Sequence, residues 1–436
     1  MVGVATGFGT MNEQPDIIIG ERHGWGDPQP FGISPVDQRQ HVYVIGKTGT
    51  GKSTLLRNMI IQHITLGHGV GLIDPHGDLA ESLLDCVPPH RTNDVVVFDA
   101  GDTDHPLSFN VLDCPFPSLR PLVASGVLSA FKKLYGDSWG PRLEHILRNA
   151  LLALLDVPGT SLVSLLRLLS ESRFRAEIAN RVSDPVVRAF WQREFAGMHL
   201  KLQIEAVAPI QNKVGHFVSS SILRNIIGQS RNALPLRRLM DEGKVLLCNL
   251  SKGRIGDDAS TLLGSFLVTA IQLAAMSRAN VPERERRDFW LYVDEFQNFA
   301  TESFASILSE ARKYRLGLTV ANQYLAQIDE PTLHALFGNV GTLVAFQAGA
   351  RDAELLAEQF GSELAVQDLL RLPRYQAYVR LLIDGMPSPP FSMRTLPPPV
   401  SRRRVARPAV IRRTSRHRYA RPRAEAEKEI AAALRL

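Results

Sequence analysis

The sequence predicts an α/β fold: a mostly parallel sheet covered by helices on both faces, interrupted by an all-helical insertion and followed by a basic tail. Three observations carry this reading. Short apolar and β-branched runs at 41–45, 69–73, 94–99, 244–250, 289–293, 316–321, 341–347 and 377–383 alternate with helical stretches, which is the βαβ rhythm of a parallel sheet. Between about 116 and 240 that rhythm stops and helix follows helix. The first run leads directly into Gly46-Lys47-Thr48-Gly49-Thr50-Gly51-Lys52-Ser53, which fits the P-loop pattern without a mismatch.

A length of 436 residues allows two to three domains. The expected division is an N-terminal segment (1–35), a nucleotide-binding domain in two parts (36–115 and 241–386), the helical insertion (116–240) and a Pro/Arg-rich tail (387–436). Within the insertion Leu143, Ile146, Leu147, Ala150, Leu151, Leu154 and Leu155 recur at three and four, as an amphipathic helix requires. Helical patterns continue through 161–169, 184–195 and 203–218.

The P-loop points to a nucleoside triphosphate. Glycines at 46, 49 and 51 allow the sharp turn that lines backbone N–H groups into an anion nest at a helix start. Lys52 reaches the β- and γ-phosphates, the Ser53 hydroxyl is a Mg²⁺ ligand, and Thr54 follows in the same helical turn. Phe289-Trp-Leu-Tyr-Val-Asp294-Glu295 supplies the other half: a buried strand ending in two carboxylates. Asp294 is expected to hold Mg²⁺ and Glu295 to orient and deprotonate an attacking water, which favours hydrolysis over a kinase reaction.

Other classes are pruned by what accompanies the P-loop. Asp74-Pro-His-Gly77 fits the Asp-x-x-Gly motif of GTPases, but Asn212-Lys213-Val214-Gly215 lacks the Asp that would read guanine. Asp74, His76 and Asp78 then read as a loop at the sheet's C-terminal edge, near the phosphates, or as turn and cap chemistry before the 79–84 helix. No Leu-Ser-Gly-Gly-Gln-like signature of ABC transporters occurs, and no signal peptide pattern opens the sequence. The longest apolar stretch, 262–276, is interrupted by Gly264, Ser265, Thr269 and Gln272 and reads as a buried helix rather than a membrane span. Cys86, Cys114 and Cys248 have no metal spacing and suit a reducing cytosol.

The tail carries the charge. Residues 402–423 hold ten arginines and no acid, so the net +6 of the chain leaves about −4 elsewhere. The expectation is a disordered basic extension, either solvated or acting as an electrostatic arm for nucleic-acid phosphate or an anionic membrane surface. Residues 424–436 have the composition of a short terminal helix.

The P-loop, Asp74-Pro-His-Gly-Asp78, Val293-Asp294-Glu295-Phe-Gln-Asn298 and Thr319-Val-Ala-Asn322-Gln323 stand in the order found in the HerA/FtsK superfamily of DNA-pumping ATPases. Over roughly 20–385 the chain most resembles the TraD/TraG-type coupling proteins of conjugation and type IV secretion. Trp139-Gly-Pro-Arg142, with Arg148-Asn149-Ala150, resembles the start of that family's helical domain, and Asn212-Lys213 with Ile226-Ile-Gly-Gln229 is similar to its end. The resemblance implies a RecA-like P-loop NTPase using ATP and Mg²⁺, assembled as a homo-hexamer on DNA. It implies that Gln323 contacts the γ-phosphate and the attacking water, and that Arg312 is an arginine finger for a neighbouring subunit, with Arg315 the next candidate. A surface arginine whose stem covers apolar neighbours would read the same at Arg312.

Membrane-bound members begin with transmembrane helices, whereas this sequence begins with a short polar, Gly-rich segment. The chain then reads either as a soluble relative or as one whose anchoring partner or segment is missing. The expected setting is cytoplasmic, free or in peripheral contact with the inner face of the membrane, with relaxosome or secretion-channel partners. Two alternatives stay open: a HerA-like repair translocase, and a nucleotide-switched adaptor that recruits substrates without pumping.

Overall fold

The structure, a computed structural model, describes residues 17–22, 27–302, 304–361, 364–398 and 407–434. In chain order its strands are β1 (Ile17–Arg22), β2 (Gln29–Ile33), β3 (Val42–Ile45), β4 (Gly69–Asp74), β5 (Val95–Asp99), β6 (Val245–Asn249), β7 (Phe289–Val293), β8 (Leu316–Asn322), β9 (Thr342–Ala345), β10 (Gln376–Arg380), β11 (Leu382–Ile383), β12 (Met386–Pro387) and β13 (Phe391–Thr395). Eleven form one sheet in the order β2-β1-β13-β10-β9-β3-β8-β7-β4-β6-β5, and β11 pairs with β12 in a separate hairpin. From β9 across to β5 every neighbouring pair is parallel. β10, β13, β1 and β2 extend the sheet antiparallel.

Burial on both faces explains why the central strands read as unbroken apolar runs. Every residue of β3, β4, β6, β7, β8 and β9 is buried. Alternate residues feed two cores. Val42 and Val44, with Trp290 and Tyr292, meet Leu55, Leu56, Met59 and Ile60 of α1 (Lys52–Thr65) on one face. Tyr43 and Ile45, with Leu291 and Val293, face the helical layer on the other. The short α2 (Asp78–Leu84) packs on the same face as α1, and the opposite layer contains α3 (Arg120–Tyr135), α4 (Pro141–Asp156), α5 (Leu162–Ser170), α6 (Leu200–Ser219) and α7 (Ser221–Ile227), all between β5 and β6.

The seven apolar residues singled out on α4 are all buried. Pro141 stands in its first turn, where the missing N–H costs nothing. The 184–195 pattern becomes a short α-helix followed by a π-helical turn, Phe190–Phe195. After β6, α8 (Asp257–Met276) docks closely: a Cβ at Gly264 would lie 2.2 Å from the Phe299 ring. The segment Asp257–Asn280 is long and apolar enough to cross a membrane, yet 67% of its apolar window is buried inside the protein.

The tail departs from expectation. Its described residues are folded: β13 sits in the main sheet between β1 and β10, followed by α9 (Arg407–Tyr419) and α10 (Arg423–Leu434). The terminal helix expected for 424–436 is α10, whereas Arg402, Arg403 and Arg404 lie outside the described residues. α9 covers the edge strand β5, burying Ile411 completely, and the Val97 N–H donates to Ser415 Oγ at 2.9 Å. α10 reaches the helical layer, where Ile430 is buried and the Ser230 N–H donates to Glu429 Oε1 at 2.7 Å.

The reason disorder was the wrong expectation is that the arginines have partners. Arg412 pairs with Glu81 and Asp99, Arg416 with Asp102, Arg421 with Glu429 and Arg423 with Glu427. Arg407 and Arg418 donate to the carbonyls of Val87 and Asn93. Charge counting along the chain cannot reveal acids supplied by distant elements.

Candidate functional site

The P-loop leaves β3 at the C-terminal edge of the sheet, the edge at which open α/β sheets bind ligands. Gly46 (φ 156°) and Gly51 (φ 131°) hold conformations that side chains rarely adopt. They are also sterically committed: a Cβ on Gly46 would meet Phe346 Cβ at 2.5 Å. The loop braces itself, with Thr50 Oγ1 donating to Lys47 O at 2.7 Å and the Lys47 N–H donating to Gln347 O at 2.9 Å. Gly51 caps α1, so Lys52, Ser53 and Thr54 form its first turn, where free N–H groups face outward.

Lys52 is buried, and its ammonium donates to Gly46 O at 2.5 Å and Lys47 O at 3.2 Å. Burial lowers its pKa, opposed by the nearby Glu295 and Asp294 carboxylates. Asp294 and Glu295 follow β7 directly and are both buried. Burial, with Asp74 and Glu295 close by, pushes the Asp294 carboxyl up to about 7. Glu295 lies in the left-handed region (φ 47°), uncommon for a non-glycine residue.

That conformation aims the Glu295 carboxylate into a polar chain. Gln323 Nε2 donates to Glu295 Oε1 at 2.9 Å, Gln297 Nε2 donates to Oε2 at 2.7 Å, and Thr48 Oγ1 donates to Gln323 Oε1 at 3.0 Å. The P-loop, the acid after β7 and the glutamine after β8 are thereby linked. Asn322 shapes the turn: it accepts from the Tyr43 hydroxyl at 2.8 Å and donates to Tyr324 O at 2.9 Å. Asp74 is chiefly a cap, accepting from the N–H groups of His76 (2.9 Å) and Ala80 (3.0 Å) at the start of α2. His76 itself lines the site.

Together Thr48, Gly49, Gly51, Lys52, Ser53, Thr54, His76, Asp294, Glu295 and Gln323 line a cavity of about 300 Å³. Arg374 and Tyr375 complete it and were not anticipated, because they belong to no motif and reach the P-loop from a turn more than 300 positions later. A larger apolar cavity, about 500 Å³, lies between Phe109, Phe116, Leu236 and Leu273, away from every group just described.

Arg312 and Arg315 are not brought to this cavity. They precede β8 while Gln323 follows it, and at ~3.3 Å per residue seven strand residues separate the two ends by about 20 Å. Arg312 is exposed and donates to Gln40 Oε1 at 2.6 Å. Arg315 lies 3.6 Å from Asp288, whose carboxylate is also gripped by Arg39.

Mg²⁺ chemistry suits the donor set. Two buried carboxylates, Asp294 and Glu295, lie near Lys52, and burial first, then the neighbouring Asp74 and Glu295 charges, raises the Asp294 pKa, a cost that a bound cation would relieve. The Ser53 hydroxyl lines the same cavity and would offer the second ligand type expected beside a P-loop.

Comparison with known proteins places the chain. The family model described as "Helicase HerA, central domain" matches residues 30–271, more than half of the chain, and "TraM recognition site of TraD and TraG" matches 288–368. No curated protein sequence matches. Among solved structures, the bacterial conjugative coupling protein TrwBdeltaN70 superposes with a TM-score of 0.62 at 17% identity, covering 84% of this chain and 86% of that one. TrwB in complex with the GTP analogue GDPNP gives 0.63 at 19% identity (85% and 89% covered). VirB4 of Thermoanaerobacter pseudethanolicus gives 0.60 at 14% identity (90% and 99% covered). The chain belongs to the HerA family of P-loop ATPases, in the RecA-like fold shared with TraD/TraG-type coupling proteins.

Proposed function

We propose that this protein hydrolyses ATP and uses the energy to move DNA during conjugative or related mobile-element transfer. The observation that carries the chemistry is the Thr48–Gln323–Glu295 chain, which joins the P-loop to a buried carboxylate through two hydrogen bonds. Coupling to DNA transfer is supported by likeness to TrwB over more than four fifths of both chains, and TrwB has been solved with ATP and GTP analogues and with ADP and Mg²⁺.

Lys52 is held over the loop by two carbonyls, and phosphate oxygens are stronger acceptors for its ammonium. The N–H groups of the first turn of α1 bind the phosphate chain. Ser53 and Asp294 would hold Mg²⁺, which neutralises charge developing on the phosphates. Glu295, fixed from both sides by Gln323 and Gln297, accepts the proton of the attacking water. Gln323 donates to that carboxylate while Thr48 holds its carbonyl oxygen, so it can report phosphate occupancy to the base.

Arg312 stands too far from its own P-loop to act there. It would complete the site of the next subunit in a homo-hexameric ring, making hydrolysis depend on assembly and linking one firing to the next. The working position is the cytoplasmic side of the membrane, with relaxosome or secretion-channel proteins as partners. The HerA match favours a second reading, a repair translocase. A relaxase or secretion-channel gene beside this one supports transfer, and a nuclease gene supports repair.

The test is ATPase turnover with and without DNA. DNA should stimulate the wild type, and Glu295→Gln should bind Mg·ATP without turning it over. Wild-type turnover by Glu295→Gln would remove the assigned base, and hydrolysis indifferent to DNA would favour the adaptor.

A further inference from the structure

The cavity beside the P-loop has two unlike sides. On the β8 and β7 side stand Gln323, Asp294 and Glu295, the groups that address the terminal phosphate. On the β9 and β10 side stand Arg374 and Tyr375, carried by the turn that enters β10. A triphosphate gripped by Lys52 at its β/γ end leads the rest of the nucleotide away from Glu295, along the loop toward this second side.

Tyr375 is built into its position. Its backbone lies in the left-handed region (φ 66°), unfavourable for an aromatic residue and a mark of a position fixed by its surroundings. Two hydrogen bonds impose it: the Tyr375 N–H donates to Thr50 O at 2.7 Å, and the Thr395 N–H donates to Tyr375 O at 2.9 Å. The first ties the residue to the P-loop and the second to β13, so the strand beyond residue 390 buttresses the site. The ring sits against the loop, since a Cβ on Gly51 would lie 3.2 Å from Tyr375 Cδ1, yet the residue keeps 40% exposure. Arg374 donates to Gly49 O at 2.9 Å, and its guanidinium lies 5.5 Å from the Tyr375 ring centroid. An aromatic ring and a guanidinium plane, both facing a nucleotide cavity, are the two side-chain surfaces on which nucleobases stack.

We propose that Tyr375, backed by Arg374, is the platform on which the base of the bound nucleotide stacks. This rests on the reading of the P-loop as a triphosphate site. Stacking uses the π-face that every base has, and the side of the cavity formed by Gly49, Gly51, Thr54, Arg374 and Tyr375 offers no side-chain carboxylate or amide to read a base edge. The site therefore takes nucleoside triphosphates without selecting the base, ATP and GTP alike.

The experiment measures binding of ATP, GTP and inorganic tripolyphosphate, each with Mg²⁺, to the full chain and to Tyr375→Ala and Tyr375→Phe. Losing one base–aromatic stack should weaken ATP and GTP in Tyr375→Ala by roughly 5- to 150-fold. Tripolyphosphate, which has no base, should bind Tyr375→Ala as it binds the wild type, and Tyr375→Phe should keep wild-type affinity for all three. Unchanged ATP affinity in Tyr375→Ala overturns the proposal. So does a parallel loss of tripolyphosphate, which would make Tyr375 a brace of the loop, and so does strong wild-type preference for one purine. Wild-type protein that binds neither ATP nor tripolyphosphate would instead overturn the triphosphate reading of the P-loop.

Discussion

Replacing Asp294 by Asn should stabilise the protein while disabling it. Asp294 has a folded-state pKa of about 7 against an ordinary 3.8, raised by burial and by the Asp74 and Glu295 carboxylates. Below about pH 3.8 both folded and unfolded chains carry the proton, and the group is neutral toward stability. Between 3.8 and 7 the unfolded chain releases it while the folded chain keeps it, so stability falls as pH rises, by about 1.4 kcal/mol per unit. Above pH 7 the full cost stands, about 4 kcal/mol at most, shared among the neighbouring acids. Asn cannot titrate, and its side-chain oxygen can still accept the Glu295 N–H, which Asp294 Oδ1 accepts at 3.0 Å. Urea unfolding in EDTA without nucleotide should show Asp294→Asn more stable than wild type by about 1–4 kcal/mol at pH 8, with the gap closing to about a third of that at pH 5. Mg·ATP should raise the stability of the wild type and not of the variant. A variant equal to or weaker than wild type at pH 8 would refute the charge argument, because the ionised carboxylate would then be stabilised by its surroundings at least as well as a neutral amide.

Arg312→Ala should lower turnover on the order of 10³-fold while leaving ATP affinity nearly intact. Mixing it with Lys52→Ala subunits should restore activity, and mixed oligomers without rescue would leave Arg312 as the surface partner of Gln40 or shift the role to Arg315. In the folded tail, Ile411→Ala should cost about 2–5 kcal/mol in urea unfolding, as for a fully buried core residue; a change under 0.5 kcal/mol, the range of surface substitutions, would mean that α9 does not hold to β5.

Much of the fold was legible because parallel strands buried on both faces leave a plain signal. Each of the eight expected runs corresponds to a strand, and the P-loop and Asp294-Glu295 fall at the sheet edge their motifs require. β2 and β13 escaped because Gln29–Ile33 and Phe391–Thr395 are edge-side segments with partly exposed, Pro- and Arg-bearing patterns. The tail was misjudged because its arginines are answered by Glu81, Asp99 and Asp102, acids that only the fold brings near. Arg374 and Tyr375 escaped for a related reason: their chemistry is set by a register between β10, β13 and the P-loop, not by local spacing. The P-loop could be read because phosphate binding is local, whereas contact with the rest of the nucleotide is assembled from distant strands.

The most direct measurement of the central claim is displacement of a third strand from a DNA triplex, followed with ATP. An ATP-driven translocase strips the third strand as it advances, so the wild type should displace it at a rate that depends on ATP and on DNA length, while Lys52→Ala and Glu295→Gln should not. Wild-type protein that hydrolyses ATP on DNA yet never displaces the strand would contradict the account and leave a nucleotide switch in its place.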